Sequence, residues 1–153
     1  MAEFKKAEEK DAQQIVELIK EEFPYIKASA ENVKERMNAE NIQVFKLEDE
    51  KRLVGFIEME LLGEETARIN ALAVREDQRG KDYGKILLKE ALKFLEGHDV
   101  SIVTLLVRED NKKAVKLYEE AGFEAIGLFE TEDGMHIQEM ELEVFKGTPK
   151  YVS

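Results

Sequence analysis

The sequence predicts an α/β fold: a mixed, mostly antiparallel sheet of roughly six to seven strands with one parallel pair, flanked by about four helices. The apolar run Ile69–Val74 has the length of a buried strand, and the segment Lys85–Glu96 places apolar residues on one helical face. A second β-rich run, Val100–Val107, follows that helix, so the two strands should lie parallel through a right-handed crossover. Before and after these segments, polar turns join short apolar runs, and this pattern is typical of antiparallel hairpins.

The chain is predicted to begin with a short strand and a helix. Phe4–Ala7 has the composition of an edge strand. Asp11 is a candidate N-cap for the helix that follows, because a side-chain carboxylate can accept from the first helical N–H groups. Pro24 ends that helix, since the residue before a proline disfavours helical angles.

A second helix and a hairpin follow. The helix begins near Ser29 and turns the side chain of Arg36 inward. The hairpin consists of Ile42–Leu47 and Leu53–Leu62, joined by the polar turn Glu48–Lys51. Its second strand leads through a short turn into the strand that opens the parallel pair.

The last part of the chain is predicted to hold one helix and a second hairpin. Asn111 or Asp110 caps the helix, and Gly122 closes it. The strands Phe123–Phe129 and Met135–Phe145 then form an antiparallel pair.

Composition limits the function classes. The 153 residues suffice for one domain, 1–153, in which the tail 146–153 should be loosely ordered. The sequence lacks cysteine, which excludes disulfides, thiolate catalysis and cysteine-based zinc sites, and no metal is expected. A net charge of −11 without a basic stripe argues against nucleic-acid binding. No apolar run approaches the roughly 20 residues of a membrane span, and the charged N-terminus is unlike a signal peptide, so a cytoplasmic protein is expected.

A basic loop with two glycines follows the strand Ile69–Val74. Its sequence is Arg79-Gly80-Lys81-Asp82-Tyr83-Gly84, and a helix comes directly after it. Strand, glycine loop and helix together offer backbone N–H groups and the positive end of a helix dipole to a phosphate. The loop matches neither the GxGxxG dinucleotide fingerprint nor the GxxxxGK[ST] Walker loop. It therefore predicts an anion site of another kind, suited to a pyrophosphate.

Two motifs resemble those of the GNAT superfamily of N-acetyltransferases. Arg79–Gly84, after Leu72-Ala73-Val74, resembles the family's motif A, [RQ]xxGx[GA], except that Asp82 replaces its central glycine. Asn111–Phe123, NKKAVKLYEEAGF, resembles motif B, NxxAxxLYxxxGF, at every fixed position. The element order also matches this family along nearly the whole chain. The resemblance implies a GNAT-type fold.

The resemblance further implies acetyl-CoA as the acetyl donor. It places the pyrophosphate on the backbone N–H groups of residues 79–85 and the pantetheine on Val74, with the N–H of Leu72 toward the thioester oxygen. It makes Tyr118 the acid that protonates the leaving thiolate, although a plain core aromatic is the alternative. The implied cofactor-binding residues are Leu72, Ala73, Val74, Arg79, Gly80, Lys81, Asp82, Tyr83, Gly84, Lys85, Asn111, Ala114 and Tyr118. Asn111 could instead serve only as a helix N-cap.

The base for the acceptor amine is not defined by either motif. Members that acetylate ribosomal proteins carry a glutamate where this chain has Leu106, and histone-type members carry one near Arg68. Both substrate assignments are therefore disfavoured. The candidates that remain are Glu58, Glu60, His136 and Glu139, or deprotonation through water. Candidate substrate-contacting residues are Tyr25, Glu58 and Asn70.

The predicted function is transfer of an acetyl group from acetyl-CoA directly to a primary amine. The acceptor could be a small amine, a polyamine, an amino acid, an antibiotic or a protein amino group, and the chain could be a monomer or a homodimer. The alternative is a catalytically silent acyl-CoA-binding sensor or scaffold module. Asp82 favours this alternative, because a carboxylate in the loop should repel the pyrophosphate and weaken CoA binding.

Overall fold

The structure is a computed structural model that describes residues 2–144. Its strands and helices, in chain order, are β1 Glu3–Lys6, α1 Ala12–Glu22, α2 Ala30–Asn38, β2 Ile42–Asp49, β3 Arg52–Leu61, β4 Thr66–Val74, α3 Tyr83–Gly97, β5 Ile102–Arg108, α4 Lys112–Glu120, β6 Glu124–Glu130 and β7 His136–Glu143. Short 3-10 turns cover Glu9–Asp11 and Glu76–Gln78. The predicted order of strands and helices is confirmed.

The strands form one sheet in the order β1-β2-β3-β4-β5-β7-β6. β4 and β5 are parallel, with Thr66–Ile69 paired to Ile102–Leu105. The pairs β1–β2, β2–β3, β5–β7 and β6–β7 are antiparallel. The parallel pair follows from the helix α3 that connects the two strands, since a crossover is the only way to return the chain in the same direction. The predicted mixed sheet with one parallel pair is therefore confirmed.

The contacts divide the chain into two compact units. The first comprises the residues up to Glu60 together with Asn70–Ala91, and the second comprises Leu61–Ile69 together with the residues from Leu92 onward. A single domain over 1–153 remains a prediction. The predicted tail, 146–153, and the last residue of the predicted strand Met135–Phe145 lie outside the described residues.

The core of the first unit is an apolar layer between α1, α2 and the sheet. Ile15 and Leu18 on α1 recur at helical spacing and are each 1% exposed. Val33 from α2 and Phe56 from β3 belong to the same cluster. Full burial of each such side chain stabilises the fold by about 1.5–3 kcal/mol.

Gly55 lies where β3 passes very close to the end of β4. A Cβ on this residue would lie 2.8 Å from the carbonyl oxygen of Ala73 and 2.9 Å from Cδ1 of Leu87. Because real Cβ atoms do not approach backbone so closely, only glycine fits here. The close approach fixes the position of the β4 segment that contains Leu72, Ala73 and Val74.

The predicted N-cap role of Asp11 is wrong. A 3-10 turn precedes α1, so Asp11 already has helical angles, φ −87° and ψ −10°, and makes no side-chain cap hydrogen bond. Its carboxylate instead accepts from the Glu8 N–H at 2.8 Å and from the buried Lys46 ammonium at 2.9 Å. The predicted helix start near Ser29 is confirmed, and Ser29 caps α2 by accepting from the Asn32 N–H. Of the two predicted candidates for the cap of α4, Asn111 is the one whose side chain accepts from the Ala114 N–H.

The second unit has its own apolar core. Val103 and Leu105 of β5 and Met140 of β7 are at most 1% exposed, and they lie on one face of this part of the sheet. Tyr118 of α4 and Phe123 are also buried. This core holds α4 in place, and with it the motif that contains Tyr118.

Candidate active site

The glycine loop ends in a helix that begins earlier than predicted. α3 starts at Tyr83 rather than Lys85, and its first α-helical hydrogen bond runs from the Ile86 N–H to the Asp82 carbonyl at 3.1 Å. The backbone N–H groups of Tyr83 and Gly84 belong to the first turn of α3, where an α-helix offers no intrahelical acceptor. Gly80 and Asp82 both have positive φ angles, 84° and 61°. Turns of this kind direct successive N–H groups into a concavity that binds anions.

Two residues at the start of the loop are engaged in other contacts. The Arg79 guanidinium pairs with the Glu22 carboxylate, and the Arg79 N–H donates to the Glu76 carbonyl at 3.4 Å. Lys81 donates to the Gln78 side-chain oxygen at 3.0 Å. The side chains of Arg79 and Lys81 and the backbone N–H of Arg79 are therefore engaged within the protein.

Tyr83 anchors the first turn of α3 to the hairpin of β2 and β3. Its hydroxyl donates to Oδ2 of Asp49 at 2.5 Å, and this hydrogen bond raises the pKa of Tyr83 and lowers the pKa of Asp49. Asp49 lies just before the tight turn formed by Glu50 and Lys51, which have φ angles of 51° and 65°. The side chain of Tyr83 thus has a structural partner, and its backbone N–H remains part of the loop.

The end of β4 lies beyond its pairing with β5. The parallel register stops at Ile69 opposite Leu105, although β4 continues to Val74. Five residues of β4, Asn70–Val74, therefore extend past the segment that is paired with β5. Leu72 and Val74 are half-buried, and Ala73 is 2% exposed against Gly55.

Tyr118 is a buried phenol on α4. It is 7% exposed and meets the Phe123 ring edge-on at a centroid distance of 5.7 Å. Burial raises the pKa of Tyr118 to about 12, because the charged phenolate loses its hydration. The side chain is therefore protonated throughout the physiological range and is chemically suited to donate a proton.

This pKa predicts a loss of stability in strong base. The folded-state pKa of about 12 exceeds the ordinary value of 10.0, so the unfolded chain loses this proton first as the pH rises. The contribution is fully present below pH 10 and is lost toward pH 12, by up to about 3 kcal/mol. Urea unfolding of the wild type and of Tyr118→Phe between those pH values should show the steeper loss in the wild type. Parallel curves would contradict the raised pKa.

Asn111 and Ala114 form the N-terminal cap of α4. The Asn111 side-chain oxygen accepts from the Ala114 N–H at 3.3 Å. The backbone donor of Ala114 is thus engaged in the cap. The amino group of the Asn111 side chain takes no part in this hydrogen bond, so the cap leaves it available to a ligand.

Glu58, Glu60 and Asn70 are brought together in the first unit. Glu58 is 8% exposed and receives two hydrogen bonds from Arg36, at 2.7 and 2.6 Å. The Asn70 amino group donates to Glu58 at 2.8 Å and to Glu60 at 3.0 Å. The hydrogen bond to Glu58 raises the pKa of Arg36. No motif points to Arg36, and its side chain is not turned fully inward as predicted: it is 46% exposed and reaches Glu58 with its guanidinium group.

The other candidate residues do not join a common cluster. Tyr25 is 55% exposed and meets the Phe23 ring edge-on at 6.3 Å. In the second unit, His136 is exposed at the start of β7, and Glu139 lies opposite Leu106 on β5. His136 borders a cleft of about 520 Å³, whose lining is Arg108, Glu109, Asp110, Lys112, Leu128, Gly134, Met135 and His136. Glu139 is not part of that lining.

Within residues 2–144, the acidic and histidine side chains form no group of three that could hold a metal ion. In the same part of the chain, no helix combines the length and apolarity that crossing a membrane requires.

Comparisons with known proteins agree with the predicted family. A family model described as "Acetyltransferase (GNAT) domain" matches residues 6–144. The mycothiol acetyltransferase of Streptomyces coelicolor is 36% identical over 80 residues, which are 52% of this chain and 26% of that protein. The mycothiol acetyltransferase of Rhodococcus opacus is 33% identical over 85 residues, which are 52% of this chain and 28% of that protein. The match thus spans about a quarter of the length of these curated relatives.

Solved structures share the fold over nearly the whole chain. The ribosomal-protein-S18-alanine N-acetyltransferase from Escherichia coli has a TM-score of 0.84 at 21% identity, covering 100% of this chain and 99% of that one. A spermidine N-acetyltransferase SpeG chimera from Vibrio cholerae and hSSAT has a TM-score of 0.79 at 25% identity, covering 93% and 95%. At 21% identity, the likeness to the Escherichia coli enzyme is evidence of the fold alone.

Proposed function

Because this chain belongs to the acetyltransferase (GNAT) domain family, we propose that it transfers an acetyl group from acetyl-CoA to a primary amine. The observation that carries the proposal is the loop at the start of α3. Gly80 and Asp82 with positive φ angles, followed by the N–H groups of Tyr83 and Gly84 at the start of α3, provide donors for a pyrophosphate.

The proposed contacts with acetyl-CoA involve the loop before α3 and the end of β4. The N–H groups from Gly80 to Lys85 bind the pyrophosphate, and the lysine side chains at 81 and 85 add positive charge. Val74 and Ala73 hold the pantetheine arm, and the Leu72 N–H donates to the thioester oxygen. Asn111 contacts the arm through its side-chain amino group, which its cap does not use. Arg79 acts indirectly, by tying the loop to Glu22 on α1.

Acetyl-CoA supplies an activated acetyl thioester, and Tyr118 supplies the proton for the departing thiolate. The burial of Tyr118 and its pKa of about 12 support this role, because the phenol is fully protonated when the thiolate forms. An ordinary thiol has a pKa near 8.5, so this proton transfer is favourable only where desolvation in the site raises the basicity of the thiolate as well.

The acceptor is proposed to be a primary amine. Relatives and structural neighbours carry names that refer to mycothiol, spermidine and the alanine of a ribosomal protein, so the family accepts amines of several kinds. Release of CoA thiol on incubation with spermidine, n-butylamine, glucosamine and an alanyl peptide tests the activity. Thiol release that depends on the amine supports the proposal; binding of acetyl-CoA without any release favours the silent module.

One observation favours that second candidate, a CoA-binding module without turnover. Asp82 places a carboxylate at a turn position where its φ angle of 61° would suit glycine. Asp82 lies within the run of backbone donors that would hold the pyrophosphate, and two like charges about 4 Å apart repel by about 1 kcal/mol even in bulk water.

Asp82→Gly is therefore expected to tighten acetyl-CoA binding by about five- to tenfold, because it removes the repulsion. Asp82→Asn should give a similar gain, since it removes the same charge. Asp77→Asn is the matched control: Asp77 is exposed and pairs with Arg52 outside the loop, so a change below twofold is expected. Calorimetry measures all three affinities. Unchanged or weaker binding by Asp82→Gly would contradict the repulsion.

A further inference from the structure

We propose that Glu60, rather than Glu58, receives the proton of the acceptor amine, and that Arg36 and Glu58 are positioning residues that hold Glu60 through Asn70. This inference rests on the proposed acetyl transfer to an amine and assigns the group that makes the amine nucleophilic. The two glutamates lie on the same strand, β3, two residues apart, and only their contacts distinguish them.

Both carboxylate oxygens of Glu58 are already occupied. Oε1 accepts from Nε of Arg36 at 2.7 Å, and Oε2 accepts from Nη2 of Arg36 at 2.6 Å and from Nδ2 of Asn70 at 2.8 Å. The residue is 8% exposed. A two-point Arg–carboxylate pair is among the strongest hydrogen-bonded arrangements in proteins. Oε2 of Glu58 therefore has both of its usual acceptor positions filled, and Oε1 is held by a short bond to a charged donor, so an incoming ammonium group has to compete with Arg36 for this carboxylate.

Glu60 retains one weakly engaged oxygen. Its Oε1 accepts from Nδ2 of Asn70 at 3.0 Å, while its Oε2 has only Nδ2 of Asn41 at 3.5 Å, the outer limit of a hydrogen bond. Glu60 is also more exposed than Glu58. Of the four oxygens of this pair, Oε2 of Glu60 is thus the one most available to an amine, as judged by contacts within residues 2–144.

Asn70 connects the anchored carboxylate to the available one. Its amino group has two hydrogens, and the two bonds to Glu58 and Glu60 use both. Since Arg36 fixes Glu58, the amide plane of Asn70 is fixed as well, and Glu60 is held in one rotamer. Asn70 precedes Leu72 by two residues of β4, or roughly 7 Å of strand. The chain thus places Glu60 within a short distance of the proposed thioester contact.

The proton balance of the reaction is complete with these groups. The ammonium form of the acceptor gives one proton to Glu60, which later releases it to solvent. The neutral nitrogen attacks the acetyl carbonyl, so that the N–C bond forms and the C–S bond breaks. The thiolate takes the proton of Tyr118, and the second proton lost by the nitrogen restores Tyr118. The products are the acetylated amine, CoA thiol and one proton.

Steady-state kinetics of single variants tests the assignment. Glu60→Gln is expected to lower kcat about 100-fold, because the base is lost, with acetyl-CoA affinity unchanged. Added formate should restore part of the activity of Glu60→Ala but none to Glu58→Ala. Arg36→Lys, which keeps the charge but loses the two-point pair, should lower kcat about tenfold. Glu35→Gln, on an exposed position of α2 beside Arg36, is the control and should match the wild type.

Two results would overturn the inference. One is full activity of Glu60→Gln in a protein that acetylates amines. The other is formate rescue of Glu58→Ala in place of Glu60→Ala, which would make Glu58 the base.

A titration without acetyl-CoA separates this inference from the proposed function. The side-chain amide resonance of Asn70, assigned by its loss in Asn70→Asp, is followed as n-butylamine or spermidine is added. A shift of the resonance in the wild type that disappears in Glu60→Gln supports the inference. If the same protein releases no CoA thiol, the proposed function is contradicted but the inference about Glu60 is not. No shift with either amine would overturn the inference.

Discussion

Replacing Tyr118 with phenylalanine is expected to lower kcat by about 100-fold or more, with the Kd for acetyl-CoA within about twofold of the wild type. The substitution removes one hydroxyl from a ring that is 7% exposed and packed against Phe123, so the shape of the α4 core is kept. What is lost is the proton donor for the thiolate. Steady-state rates and calorimetry on the same preparations measure both quantities.

The pH dependence gives this prediction a second readout. Because the pKa of Tyr118 is about 12, its ionisation should not lower the rate of the wild type until the pH is far above 10. A fall in rate centred near 10 that disappears in Tyr118→Phe would contradict the raised pKa. Equal kcat for the two proteins would contradict the acid role and leave Tyr118 as a core aromatic.

Lys46→Met is expected to lower the free energy of unfolding by about 3–5 kcal/mol, the largest stability effect expected of the described residues. Lys46 lies on β2 at 3% exposure, and its ammonium pairs with Asp11 at 2.9 Å and with Glu48 at 2.8 Å. Desolvation lowers the pKa of Lys46, but the hydrogen bonds to the two carboxylates outweigh it, so the pKa is raised. Removing the cation leaves Asp11, itself 3% exposed, as an uncompensated buried charge.

Lys5→Met is the matched control for this prediction. Lys5 lies directly opposite Lys46 on β1 and also pairs with Glu48, at 3.1 Å, but its side chain is 47% exposed. An exposed pair of this kind contributes little to stability, because solvent screens the charges and both side chains lose conformational freedom. The double variant Lys46→Met/Asp11→Leu should recover much of the loss, because no charge is then left buried. Urea unfolding that finds equal effects for Lys5→Met and Lys46→Met would contradict the explanation.

Much of the fold could be predicted from the sequence, because strand and helix periods are local properties. Two features could be recognised only from contacts in the three-dimensional structure. Asp11 has the residue type of an N-cap, but its carboxylate is committed to Lys46, which is 35 positions away. Arg79 belongs to a basic loop in sequence, yet its guanidinium pairs with Glu22. Long-range ion pairs of this kind leave no periodic signal.

The candidate site was predictable to different degrees in its parts. Motif spacing pointed to the loop Arg79–Gly84 and to Tyr118, because backbone turns and helix starts have characteristic residues. The sequence could not predict that the carboxylate of Glu58 is anchored while that of Glu60 is more available, since both residues are glutamates on one strand face. This difference depends on Arg36, 22 residues from Glu58, and on the single amino group of Asn70.

The measurement that tests the central claim most directly is calorimetric titration of the wild type with acetyl-CoA, beside a loop variant, Gly80→Val. Gly80 has a φ of 84°, so a branched residue there should distort the loop and its donors. We expect micromolar binding by the wild type and at least tenfold weaker binding by Gly80→Val, whose unfolding free energy should fall by no more than the roughly 1–3 kcal/mol that a strained backbone conformation costs. No binding by the wild type at millimolar acetyl-CoA would contradict the account, since the loop at the start of α3 would then not serve as a pyrophosphate site.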